Sequence, residues 1–203
     1  MIILVSNIET VIDEIKYLLK KRINKILFIP SSLSNKEKTN KYKNKILEIM
    51  NFNNSLDLQV DIWDYDVNKT FNFNDYHLIF LMGGDVREQN KLIMESDISL
   101  KDFKGTIIGQ SAGAFNLCKD IYLTKTHKES DTTLHMKGIG LVDVIIDVHF
   151  DKEKAYNIQD LKDINKEVYC ITDKGALVVN NGFIQIKGDV FLLNNGILEK
   201  VGK

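Results

Sequence analysis

The stretch TIIGQSAGAFNLCK, residues 106–119, decides the fold of this chain. Thr106–Gly109 is a short apolar run that reads as a buried strand, Gln110-Ser111-Ala112-Gly113 is a turn of small residues, and Ala114–Lys119 reads as a helix. A buried strand feeding a helix through a tight turn is the unit of a parallel sheet, because a parallel neighbour is reached only by a crossover. Upstream the same alternation recurs. Ile2–Val5 is a strand, and Glu9–Arg22 a helix with Val11, Ile12, Ile15, Leu18 and Leu19 on one face. Lys25–Pro30 (KILFIP) is a strand ending at Ser31-Ser32, and Asn35–Met50 is a Lys-rich helix with a narrow apolar edge of Ile46, Leu47 and Met50. The only proline sits at that strand's end, where a missing N–H does little harm. Leu56–Tyr65 alternates apolar and polar residues as a strand with one buried face does, and Asn68–Asp75 is loop. His77–Met82 (HLIFLM) is a continuous apolar run, fit for a central strand covered on both faces, and it stops at Gly83-Gly84-Asp85.

Downstream the chain is polar from Leu123 to Gly138. Leu141–Phe150 (LVDVIIDVHF) then reads as a strand, Lys152–Lys166 as a polar helix or loop, and Glu167–Thr172 as the last central strand. Ala176–Val201 holds short β-type runs punctuated by Asn180-Asn181-Gly182, Lys187-Gly188-Asp189 and Asn194-Asn195-Gly196, which are hairpin signals. The expected fold is one α/β domain over residues 1–203: a three-layer sandwich with a mostly parallel central sheet flanked by helices and a small antiparallel C-terminal extension.

Composition narrows the function. With 203 residues the domain buries roughly 70% of the surface of its unfolded chain, so it needs no disulfide or metal staple. The balance of 27 Lys+Arg against 28 Asp+Glu, a net −1, argues against a general nucleic-acid or anionic-membrane binder and for a small-molecule or protein partner. Cys118 and Cys170 are far apart, in neither disulfide nor zinc spacing, which points to a reducing compartment. The apolar start MIILVS is too short for a signal peptide or a membrane span, so a cytoplasmic protein is expected.

The chemistry gathers around Gly109-Gln110-Ser111-Ala112-Gly113, a G-x-S-x-G pattern between a strand and a helix. At such an elbow the serine is strained and lifted off the sheet, small neighbours let the turn close, and the Ala112 N–H faces the place where an oxyanion would form. A turn kept small for packing is the competing reading. A serine nucleophile needs a base, and of His77, His127, His135 and His149 only the last closes a strand at the carboxyl edge that displays Ser111. His77 falls at the opposite edge, and His127 and His135 lie in a polar stretch read as solvated. Gly83-Gly84 would let a backbone N–H approach a substrate oxygen, making Gly84 a second oxyanion donor. Arg87 could fork onto a substrate carboxylate or be an ordinary solvated arginine, and Asp85 and Gln110 are further substrate-contact candidates.

With FLMGGD (80–85), IIGQSAGA (107–114), GIGLVD (138–143) and the VHF around His149 in this order, the chain resembles the peptidase E and cyanophycinase family of serine peptidases. That family has a class I glutamine amidotransferase-like fold. The resemblance implies Ser111 as nucleophile, His149 as general base, Gly84 and Ala112 as oxyanion donors, and a third, acidic member between serine and histidine. In that interval Glu129 is the first choice and Asp131 the alternative. It further implies an acyl-enzyme mechanism on amide bonds of small peptides, with neither metal nor organic cofactor. Peptidase E proper cleaves dipeptides with an N-terminal aspartate, whereas the segment after His149 has no arginine, so aspartyl preference is not expected. Two other readings stand beside this one: an esterase of α/β-hydrolase type, and a non-catalytic amidotransferase-like binding or regulatory module. A homodimer is suggested by fold-level analogy alone.

Overall fold

The computed structural model describes residues 1–202 except 20–22, 52–56, 66–71, 97–98 and 128–131. Four runs rich in Ile, Leu and Phe form the sheet centre: β1 (Ile2–Val5), β2 (Lys25–Ile29), β4 (Leu78–Leu81) and β5 (Thr106–Gln110), with β3 (Gln59–Ile62) on the flank of β2. They lie parallel in the order β1-β5-β4-β2-β3, with Ile3 opposite Ile108 and Phe80 opposite both Ile108 and Phe28. Side chains alternate across a strand. Ile3, Val5, Phe28 and Phe80 therefore join one core with α1 (Ile8–Ile15) and α2 (Lys36–Ile49). Leu4, Leu27, Ile79 and Leu81 join the other with α3 (Val86–Glu95) and α4 (Ala112–Leu117). Helices on both faces explain why these strands read as unbroken apolar runs.

Each helix start has a local cause. Asn7, Asn35 and Asp85 accept the N–H groups of Glu9, Lys38 and Glu88, supplying the N-terminal caps of α1, α2 and α3. Ser111 stands at the N-cap just before α4, and its hydroxyl makes no cap hydrogen bond and is left free for another partner.

The C-terminal part differs from its sequence reading. Of Leu141–Phe150 only Ile146–Val148 is a strand, β8, because it pairs over just three residues with β9 (Val168–Asn180). β9 does not stop at Thr172. Its first part lies parallel to β8 and its second antiparallel to β1, so one 13-residue strand serves two partners along one edge while β10 pairs with the other. It then turns at Asn181-Gly182 into β10 (Phe183–Asn194), which turns at Asn195-Gly196 into β11 (Ile197–Lys200). Positive φ at both residues of each pair gives the turn that matches strand twist. Lys187-Gly188-Asp189 is no turn. Gly188 takes φ 62° within β10, where the register to β9 shifts and the strand bulges. Among the described residues the result is a nine-stranded, mostly parallel sheet with this antiparallel extension on the flank of β1.

Two further differences concern the segment after the elbow. The helix ends at Leu117 rather than Lys119, since Cys118 turns extended, and Asp120 opens β6 (Asp120–Leu123). Within the polar stretch, β7 (Leu134–Lys137) pairs antiparallel with β6 in a separate two-stranded sheet. Its residues are mostly exposed, and Leu134 and Met136 are all the apolar signal it offers. Lys152–Lys166 contains α5 (Ala155–Lys162).

Candidate active site

Parallel strands end together, so the residues after β1, β2, β4 and β5 share one edge: Ser6, Ser31, Gly83-Gly84 and Ser111. β8 reaches this edge from outside. It is parallel to β9, which is antiparallel to β1, so β8 runs against β1 and delivers His149 at the edge where the parallel strands finish. Pairing of Val148 with Ile171 places Asp173 just beyond His149.

These placements produce a hydrogen-bonded chain. His149 Nε2 lies 3.0 Å from Ser111 Oγ, and His149 Nδ1 lies 2.6 Å from Asp173 Oδ1. Ser111 has φ 50° and ψ −109°, a conformation costly for a side-chain-bearing residue that turns its hydroxyl out of the helix it precedes. The elbow closes only because its neighbours are small. A Cβ on Gly109 would fall 2.7 Å from the Gly113 carbonyl oxygen, and one on Gly113 would fall 2.3 Å from that of Leu81. The chain is open to solvent, with the His149 side chain 43% and that of Asp173 53% exposed. In such a chain the carboxylate holds the ring with its proton on Nδ1, and Nε2 can take the serine proton as the hydroxyl attacks a carbonyl carbon.

The carboxylate that meets His149 is one the sequence does not single out, because Asp173 follows the histidine in the chain, whereas Glu129 and Asp131 precede it. Glu129 and Asp131 lie outside the described residues. The only signal was that Asp173 directly follows the predicted strand Glu167–Thr172, and using it required knowing that this strand pairs with the one carrying His149.

Gly83 and Gly84 border the same groove as Ser111 and His149, which has a volume of about 760 Å³. A Cβ on Gly83 would sit 3.3 Å from that of Ser111, while Gly84 has φ 144° and a Cβ there would run into Ser31 Oγ. Gly84 demands glycine, and Gly83 leaves little room for a side chain. Ala112, fully buried, is the first residue of α4. Gln110 lines the groove, and its side-chain oxygen accepts the Ile8 N–H at 3.3 Å. Asp85 is occupied as the cap of α3, and Arg87 is exposed and outside the groove lining.

The opposite wall of the groove is α2. Lys38, Lys41 and Lys45 follow one another at helical spacing along it, and no acidic side chain lines the groove among the described residues. Lys45 pairs with Glu9, whereas Lys38 and Lys41 have no ion-pair partner among the described residues. In the sequence these lysines were simply part of a Lys-rich helix, because only packing shows which face meets the site.

The remaining histidines fall elsewhere. His77 is exposed ahead of β4, at the far edge. His135 stacks on Tyr122 and bonds to Asp120, whose carboxyl is lowered to about 2 by hydrogen bonds from Lys137 and His135. His127 corrects its solvated reading. Its side chain is 10% exposed, lies edge-on to Phe115, and binds Asp147, itself 2% exposed, at 2.6 Å. Asp147→Ala removes one partner of a buried pair and is expected to cost roughly 2–4 kcal/mol in urea unfolding, with Asp143→Ala on the exposed surface nearly neutral. Equal midpoints for the two variants would refute this assignment.

Both cysteines are buried, and burial pushes their thiols up, so neither competes with Ser111 as a nucleophile. Among the described residues no cluster of three or more His, Cys, Asp or Glu side chains could hold a metal ion, and no helix is long and apolar enough to cross a membrane.

The model for Peptidase family S51 matches residues 2–187. Among solved structures, a peptidase from an acI-B1 Actinobacterium superposes with a TM-score of 0.64 at 17% identity, covering 99% of this chain and 93% of its own. A protein from Listeria monocytogenes EGD-e assigned to peptidase E superposes with a TM-score of 0.61 at 18% identity, covering 92% of this chain and 97% of its own. No curated protein matches the chain.

Proposed function

Because the chain belongs to peptidase family S51 and is a serine-type peptidase, we propose that it hydrolyses amide bonds of short peptides through an acyl-enzyme formed on Ser111. The observation that carries this reading is the continuous chain Ser111–His149–Asp173, with contacts of 3.0 and 2.6 Å. His149 takes the serine proton as Oγ attacks the scissile carbonyl and returns it to the departing amine. Water, deprotonated by the same ring, then releases the acid product. The N–H groups of Gly84 and Ala112 hold the developing oxyanion. Asp173 stands as the third member in place of Glu129 or Asp131. The test is hydrolysis of a mixed dipeptide and tripeptide library by native protein beside Ser111→Ala. Cleavage only by the native protein supports the reading, and equal cleavage or none overturns it.

The α2 wall bears on substrate choice. The segment after His149 has lysines but no arginine, and Lys38 and Lys41 add positive charge along the groove itself, which favours peptides bearing a carboxylate. Reversing both, Lys38→Glu with Lys41→Glu, is expected to raise KM for carboxylate-bearing peptides by about tenfold at low salt and to leave neutral ones within about twofold. Equal KM changes for the two classes would show that the lysines do not select.

A further inference from the structure

The end of β1 holds the backbone of two members of the hydrogen-bonded chain, Ser111 and His149. The Val5 carbonyl accepts the N–H of Ser111 at 2.9 Å. Ser6, without solvent exposure, accepts the N–H of His149 at 3.0 Å and donates its hydroxyl to the Ile171 carbonyl at 2.8 Å. That carbonyl also accepts the N–H of Phe150 at 3.1 Å. Thr10, in α1, donates to the carbonyl of Asp173. A serine hydroxyl has one proton to give and lone pairs to receive, so Ser6 spends its proton on β9 and an acceptor site on His149.

His149 needs such a hold. Its φ of 55° belongs to the left-handed region, which residues with a Cβ occupy only when their surroundings impose it. The N–H groups of His149 and Phe150 are both fixed against the junction of β1 and β9, and the His149 N–H reaches it only through Ser6 Oγ. Alanine at position 6 would leave that N–H without its acceptor and the backbone of His149 free to relax toward negative φ, carrying the ring away from Ser111.

We propose that Ser6 is a positioning residue for His149, its hydroxyl bracing the histidine backbone so that the imidazole stays within reach of Ser111 Oγ. This rests on the reading of Ser111 as nucleophile and His149 as base. Ser6 is not among the residues that line the groove, so its loss affects the chemical step and not the capture of a ligand.

The test is the rate of covalent inactivation by a fluorophosphonate–rhodamine probe, resolved into kinact and KI and normalised to the folded fraction from near-ultraviolet circular dichroism. Ser6→Ala is expected to lower kinact by about ten- to a hundredfold, as misplacement of a reacting group does, with KI within about twofold. Ser6→Cys keeps the shape with a weaker donor and acceptor and is expected to fall between native and alanine, which keeps the test usable if the alanine variant does not fold. A kinact per folded molecule unchanged in both variants overturns the proposal while native labelling still upholds the peptidase reading. Native protein that labels no faster than Ser111→Ala overturns that reading and the proposal with it.

Discussion

Asp173→Asn lowers kcat by about a thousandfold or more, while Glu129→Gln stays within about threefold of native. The reason is geometric. His149 Nδ1 already has a partner, Asp173 Oδ1 at 2.6 Å, and the ring has a single proton with which to bind it. An asparagine there can present its amide N–H₂ to Nδ1, which stabilises the tautomer with the proton on Nε2 and leaves the ring unable to accept the serine proton. Replacing the corresponding aspartate in serine proteases costs about ten-thousandfold when the carboxylate is buried. Asp173 is about half exposed, so water weakens its hold on the imidazolium and the expected loss is somewhat smaller. Steady-state hydrolysis of a peptide cleaved by the native protein decides between the two carboxylates. A Glu129→Gln enzyme that is inactive, beside an active Asp173→Asn enzyme, would return the acid to the segment before His149.

Gly113→Ala unfolds or severely destabilises the domain, by about 3 kcal/mol or more in urea, and removes activity from whatever folds. The added methyl would lie 2.3 Å from the Leu81 carbonyl oxygen and 2.6 Å from its Cβ, and the first of these is strand backbone that cannot rotate away. Either α4 lifts off β4 or the end of β4 moves, and the second choice shifts Met82 and Gly83, which packs against Ser111. Gly196→Ala is the control. That glycine has positive φ, 77°, but nothing lies within 4 Å of a Cβ there, so only conformational strain of about 1–2 kcal/mol is expected, without effect on kcat. Equal midpoints for the two variants would mean that close packing at the elbow is not what requires a glycine.

The part of the site legible in the sequence is the part encoded within single elements. IILV, KILFI, LIFL and TIIGQ announce themselves because both faces of their strands are buried, and the small residues around Ser111 mark the elbow. Gly83-Gly84 and His149 were visible as punctuation at strand ends. What was not legible depends on which distant segments meet. Asp173 becomes a partner of His149 only through the register of β8 on β9, and that register is set by a strand that changes partner along its length. His127 looked solvated because its neighbours in the chain are polar, yet Phe115 and Asp147 enclose it from other elements. Lys38 and Lys41 gave no hint of a site, since a lysine on a helix is ordinarily a solvated charge until the helix is packed against a groove. Ser6, a polar residue at the end of an apolar run, looked like nothing more than a strand stop.

The most direct test of the account is the position of a fluorophosphonate adduct, found by peptide mass mapping of the native protein and of His149→Ala. One adduct is expected, on Ser111, formed quickly in the native protein and slower by at least about a thousandfold without the imidazole. An adduct on another serine, or labelling of Ser111 at the same rate in both proteins, would contradict it.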